Sequence, residues 1–386
     1  VRAQERRGGL WRRVTAAVPA PRRPGPRTAA PAAPRPVFHT APRPALRPVV
    51  WQPPPRPPRA KDQVSRVPLP PLTLYPLGGR GPEHVTLDAA GRVLTGVADG
   101  RILRLDPDSG RVETVVRTGG RPLGLQPLPD GRLLVCDADR GLLRADPADG
   151  SVETVLRTAA GAPLRLCSNA VTASDGTVYV SDSSGRFGLR DWKGDLLEHS
   201  GTGRLIRYEP GGGAEVVLKG LQFANGVALA PDESCVIVAE SGAYRLTRLW
   251  LTGSRAGHSD VLAGDLPGFP DNLSTGPDGL VWVALAGARD PLVDALHRSA
   301  PPLRRAAWSL AMPLLPQRLT DPRRTAWVVA VDGSGRVVHD LQRRTKDYRM
   351  VTSVCTDGRT LYLGSLTEGA VARAELPAAP TARAGP

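Results

Sequence analysis

The sequence predicts an all-β fold, a six-bladed β-propeller with a short helical insertion on one face and a disordered Pro/Arg-rich N-terminal tail. Three observations carry this. Residues 81–120 (GPEHVTLDAAGRVLTGVADGRILRLDPDSGRVETVVRTGG) are repeated almost word for word in RPLGLQPLPDGRLLVCDADRGLLRADPADGSVETVLRTAA, which begins at Arg121. Each unit spells four short apolar strands separated by Asp-Gly or Asp-Pro turns, the signature of a propeller blade. The turn after the first strand then recurs at Gly91, Gly131, Gly176, Glu233, Gly279 and Gly358, at intervals of 40, 45, 57, 46 and 79 residues. Six turns imply six blades.

The two long intervals contain insertions. One lies around Arg186–His199. The larger, over 286–325, has helical texture: Leu292, Val293 and Leu296, then Leu303, Ala307, Leu310 and Leu314, recur at helical spacing. Pro301 and Pro302 divide it into two helices. These pack on one face of the propeller, with a lid over the channel mouth or a lipid-touching surface helix as the sharper alternatives.

Composition bounds the rest. The 386 residues carry a net charge of +14, with 42 Gly and 40 Pro. The first 65 residues hold 13 Arg and one Lys against Glu5 and Asp62, together with 15 of the prolines. The basicity therefore belongs to a tail, read as a solvated arm and not as a specific nucleic-acid interface. The domain reading is a tail over 1–47, a propeller over 48–377 and a disordered end over 378–386, with WQPPPRPP (51–58) laid along the body as a strap. Cys136, Cys167, Cys235 and Cys355 sit in apolar strand contexts with no CxxC or histidine cluster, which argues against zinc and for buried reduced thiols. No apolar run is long enough to span a bilayer, and the Arg-rich start lacks a secretory apolar core. A cytoplasmic monomer or dimer, with peripheral membrane contact at most, is the expectation.

Counting back from each turn exposes a common phase. Glu83, Asn225 and Asp271 lie eight residues before their turns, and Asn169 and Asn272 seven. Innermost strands of a propeller line its axis, so residues at one phase converge on one end of the channel. Two carboxylates and three amides meeting there call for a cation. An all-oxygen set of this kind suits Ca²⁺, with Mg²⁺ or Mn²⁺ as alternatives. Outside this set, Arg186 and Glu240 are candidate substrate-binding residues.

The motifs GPEHV, VYVSDSSGRFGLRDW, LQFANGVALAPDE, GFPDNLSTGPDGLVWVAL and LYLGSLTEGAVAR resemble the strictosidine synthase-like family. A more distant likeness extends to gluconolactonase/regucalcin and the paraoxonases. The resemblance implies that Glu83, Asn169, Asn225 and Asp271 are metal ligands, with Asn272 as an extra amide ligand, and that the chemistry is hydrolysis of a lactone or ester. The cation would polarise the carbonyl and acidify water, and Asp271, Glu83 or His84 would take the proton. Departures from the family pattern stand beside this. The stretch KDYRMVTSVCTDG has no glutamate where strictosidine synthase places its base, which disfavours amine–aldehyde condensation. The paraoxonase-type histidine of blade two is missing from RPLGLQP, and Ala170 stands where an Asp commonly follows the blade-three Asn. A noncatalytic propeller whose structural metal supports partner binding is the alternative.

Overall fold

A computed structural model describes residues 43–55, 67–315 and 325–377. Six four-stranded antiparallel blades follow one another in the chain. Their innermost strands are Val85–Leu87, Pro122–Pro127, Cys167–Thr172, Ala224–Leu229, Gly268–Thr275 and Val351–Thr356. The ring is closed by mixing chain ends: Thr73–Pro76 forms the outermost strand of blade six by pairing antiparallel with Ala370–Glu375. Val67–Pro68 adds a short parallel edge to blade five, beside Val337–Arg343.

The blade turns show why the repeat is legible. In all six, an aspartate (Asp88, Asp130, Asp175, Asp232, Asp278, Asp357) accepts a backbone N–H from two to four residues on, locking the turn. A residue of positive φ, from 53° to 90°, directly follows the aspartate in five blades and lies three residues after it in blade one, and in five of six blades it is glycine. Glu233 is the exception. Its carboxylate accepts from the Ser174 N–H at 3.0 Å and hydroxyl at 2.7 Å on the neighbouring blade, which offsets the left-handed backbone.

Between blades, apolar strand faces stack. Ile237, Leu246, Leu273, Val283 and Trp327 form one such layer, and Trp282, Val328, Leu341, Val354 and Leu363 the next. All four cysteines are buried free thiols, Cys235 in the first of these layers and Cys136, Cys167 and Cys355 in layers of the same kind elsewhere in the ring.

A cap covers one end of the ring. Both insertions leave from the ends of second strands, Val178–Asp182 and Val281–Ala288. Antiparallel pairing puts those ends beside the starts of the innermost strands, so the cap and the channel mouth share a face. The first insertion contributes the helix Trp192–Glu198, and the second the helices Pro291–Arg298 and Pro301–Ala306, the latter continued by a π-helical turn over Ala307–Ala311. The break falls at Ser299 and Ala300, just before the two prolines.

The strap binds this cap earlier than the sequence suggests. Residues 43–47 belong to it and not to the tail. Leu46 is buried against Phe187, Leu197 and Trp308, Trp308 donates to the Pro44 carbonyl at 2.9 Å, and the Arg47 N–H donates to Glu198 at 2.6 Å. Trp51 stacks on His199 with ring centroids 4.0 Å apart. The predicted disorder over the remaining tail and over 378–386 falls outside the described residues.

Candidate metal centre

The phase count places four blades at one point, and their side chains meet there. Asn169 donates through Nδ2 to Asn272 Oδ1 at 2.7 Å. Asn272 donates in turn to Glu83 Oε1 at 2.7 Å. Asn225 accepts from the Ser168 hydroxyl at 3.1 Å and donates to Ser241 at 3.3 Å, while Ser241 donates to the Pro270 carbonyl at 2.5 Å, next to Asp271. All five predicted residues are buried.

Such convergence needs backbones to approach closely. A Cβ on Gly226 would lie 2.3 Å from the Leu273 nitrogen and 2.5 Å from the Asn272 Cα; one on Gly124 would lie 2.7 Å from the Asn169 Cα. Both glycines therefore permit neighbouring innermost strands to bring the amides together. Blade six supplies hydroxyls instead of carboxylates or amides: Thr352 donates to the Glu83 carbonyl at 2.6 Å, and Ser353 receives the Val85 N–H at 3.0 Å.

The electrostatics are unbalanced. Glu83 Oε2 and Asp271 Oδ1 are buried with no hydrogen-bond partner, an arrangement that is costly unless something positive is supplied. Burial raises the Glu83 carboxyl to about 7, against the opposing pull of Arg121 and the Asn272 hydrogen bond. Burial and the adjacent Glu83 push Asp271 well above the carboxylate range. Arg121 is buried and its guanidinium donates to the Gly81 carbonyl at 2.8 Å and the Pro122 carbonyl at 3.2 Å, so it offsets part of the negative charge while bracing the segment that leads into Glu83. Two orphaned carboxylate oxygens framed by amides fit a hard divalent cation. Among the described residues no three His, Cys, Asp or Glu side chains are grouped to hold a metal; here the set has two carboxylates, and amides make up the remainder.

Three predicted residues serve other ends. His84 is buried facing blade two, where its Nδ1 accepts the Leu125 N–H at 3.3 Å. Burial lowers it to about 4, and with that lone pair engaged it is not set up as the base. Arg186 pairs with Glu198 at 2.7 Å and donates to the Ala45 carbonyl at 2.8 Å, tying strap to cap instead of facing the mouth. Glu240 is fully buried; it accepts from the Gln222 N–H at 2.9 Å, Arg245 at 2.6 Å and Thr247 at 2.5 Å. Its oxygens are thus engaged by Gln222, Arg245 and Thr247, and the hydrogen bonds of Arg186 and Glu240 link neither to the five oxygen-bearing residues.

Sequence reading missed Arg121, the serine and threonine hydroxyls around the amides, and an apolar wall beside the site. Leu123, Ala138, Leu166 and Phe223 pack there with Leu189, Trp192 and Leu196 of the cap. Leu123 occupies the blade-two position at the same phase as Glu83, the one available signal. Phe223 has φ of 58°, a strained conformation for a bulky residue, and it immediately precedes Ala224–Asn225. A cleft of about 450 Å³ lies to one side, lined by Trp51, His199, Gln222 and Arg245 among others; none of the five oxygen-bearing residues borders it.

Fold and site together define a six-bladed propeller with an acidic, amide-framed channel mouth. The chain belongs to the strictosidine synthase-like family. Residues 169–254 match the family described as Strictosidine synthase, and residues 69–105 that described as Strictosidine synthase-like, N-terminal. The chain is 34% identical over 318 residues to the Arabidopsis thaliana protein Strictosidine synthase-like 10, covering 75% of this chain and 83% of that one. To the Rattus norvegicus adipocyte plasma membrane-associated protein it is 32% identical over 321 residues, covering 77% and 83%. Among solved structures, a gluconolactonase from Xanthomonas campestris superposes with a TM-score of 0.57 at 16% identity, covering 79% of this chain and 89% of its own. A calcium-binding regucalcin from Agrobacterium tumefaciens gives 0.55 at 15%, covering 81% and 96%. At that identity the likeness speaks for the fold. Among the described residues no helix is long and apolar enough to cross a membrane.

Proposed function

We propose that this chain is a metal-dependent hydrolase of lactones or esters, with Ca²⁺ the favoured ion. One observation carries the reading: two buried carboxylates with orphaned oxygens, Glu83 Oε2 and Asp271 Oδ1, meet three amides at the channel mouth. The relatives of solved structure that carry gluconolactonase and calcium-binding names lend it support. Glu83, Asn169, Asn225, Asp271 and Asn272 would hold the ion. Bound there, it supplies Lewis acidity toward a carbonyl oxygen and toward water.

The chain's own residues supply the rest. The Asp271 carboxylate, through the oxygen not given to the ion, would take the proton as water adds to the carbonyl carbon, and return it to the departing alkoxide as the C–O bond breaks. Asn272 and Asn169 hold the Glu83 carboxylate in place through their hydrogen-bonded chain. The Leu123–Phe223 wall seats an apolar acyl or aryl group and keeps bulk water away. The four buried free thiols favour a reducing, cytoplasmic setting.

The test is turnover on a panel of lactones and aryl esters, with and without chelator. Turnover lost to chelator and restored by Ca²⁺ supports the reading; turnover indifferent to chelator refutes it. A noncatalytic, partner-binding propeller is the second reading, and the engagement of His84 by the Leu125 amide favours it. Chelation that lowers only the melting temperature, with no substrate turned over, would select it.

A further inference from the structure

The helical insertion is built inside out. Three of its charged and polar residues face the protein: Asp294 is buried between Arg289 at 3.0 Å and the Tyr244 hydroxyl at 3.0 Å, His297 meets the Leu196 carbonyl at 2.7 Å, and buried Arg304 donates to the carbonyls of Leu197 and Val49. Five of its leucines face outward, while Leu296 packs inward with Leu46, Phe187 and Trp308. Leu292 and Leu310 are 67% exposed and Leu314 83%, with Leu303 and Leu315 also exposed. These five make up most of the large hydrophobic side chains that the described residues expose. Val49 and Val50 of the adjoining strap and Val261 of blade four are the others. Folding alone would place the leucines inward and the charges outward, so the pattern serves something outside the chain.

Charge says what. Between residues 291 and 315 the one carboxylate is Asp294, which is buried, whereas Arg298 and Arg305 are exposed. The strap adds Arg43 to this face, where it also pairs with Asp191 at 3.5 Å. The Arg43 guanidinium lies 5.0 Å from the Trp308 ring centroid, and the 42 residues that precede it contain nine arginines and one acidic residue, Glu5. A leucine-studded surface beside the exposed Arg298 and Arg305, whose one exposed acid, Asp290, is engaged in capping the first helix through the Leu292 N–H, complements an anionic lipid surface. The structure assigns the helical insertion as a docking surface for an anionic bilayer, with Leu292, Leu303, Leu310 and Leu314 entering the acyl boundary. The channel mouth shares this face, and docking holds whatever the mouth does chemically.

Flotation of the full chain with vesicles tests this. The chain is expected to float with phosphatidylcholine vesicles containing one-third phosphatidylglycerol, and to be released as salt rises. The Leu303→Glu/Leu310→Glu double variant, tail intact, should lose at least about tenfold in vesicle affinity with an unchanged melting temperature. Absence of flotation by the unaltered chain overturns the assignment. So does undiminished flotation of the double variant, which would leave the arm alone responsible. A concentration-dependent dimer that the same variant dissolves, without flotation, would make a second copy the occupant instead. Should the double variant fail to fold, Leu314→Trp at the most exposed position reports directly. Brominated acyl chains in anionic vesicles should quench the added emission, and no added quenching overturns the assignment.

Discussion

Asp271 and Glu83 are the residues on which the account turns, because each is buried beside the other with one oxygen unsatisfied. Their repulsion costs stability in the absence of a cation, so Asp271→Asn should raise the melting point of the chelated protein, by about 1–2 kcal/mol in stability. The same variant should abolish stabilisation by Ca²⁺ and lower turnover by about a hundredfold or more. Thermal melts with and without Ca²⁺ check the first pair of outcomes and initial rates the last. The pH dependence has a definite sign. Glu83 stands at about 7 in the folded chain, above its ordinary 4.5, and Asp271 is raised too. The native state therefore holds protons that the unfolded state has released, and this stabilisation is complete below about pH 4.5 and lost as pH rises through about 7. Chelated protein should melt at progressively lower temperature from pH 5 to pH 8, and saturating Ca²⁺ should remove that slope. A slope unchanged by Ca²⁺ would place the titration elsewhere.

At the scale of elements, the innermost strands and the strap carry the geometry. Gly226→Ala forces a Cβ to 2.3–2.5 Å from backbone atoms of the neighbouring strand. It should cost about 2–4 kcal/mol in urea unfolding and weaken cation binding, since the strands must separate. A loss below about 0.5 kcal/mol would show that the strands are not held in contact there. The positions of Glu83, Asn169, Asn225, Asp271 and Asn272 were legible because a repeat fixes phase, and phase in a propeller is position. The surroundings of Arg186 and Glu240 were not legible, for the converse reason. Their partners, Ala45 and Glu198 for one, Gln222 and Arg245 for the other, come from tertiary packing that no period reports. The strap's start was missed likewise: what holds Pro44 is Trp308, 264 residues along the chain. Helical spacing revealed that the insertion is helical and where it breaks, but not that its polar face points inward, because that depends on buried partners such as Tyr244 and Leu197.

For the whole molecule, ring closure and cap organise everything else. Four of the six blades place oxygen-bearing side chains at a common point, blade five placing two, while Leu123 of blade two extends an apolar wall and Thr352 of blade six braces the Glu83 backbone. The fold class, blade number and insertions followed from the near-identity of the first two units and from six turns of one chemistry. What the molecule acts on is set by the wall and the cap, assembled from segments as distant as Leu123, Trp192 and Phe223, and so lay beyond the reach of the repeat. Removing the strap should loosen this assembly. Trp51→Ala, which deletes the ring stacked on His199, should cost about 2–3 kcal/mol, seen as a lower melting temperature, with no change in Ca²⁺ affinity because the cation residues belong to the ring. The most direct test of the central claim is calorimetric titration of Ca²⁺ into chelated protein near pH 7, in buffers of differing ionisation enthalpy. The account predicts one site, release of protons on binding, and loss of binding in both Asp271→Asn and Glu83→Gln; binding that survives in those variants, or no binding in the unaltered protein, would contradict it.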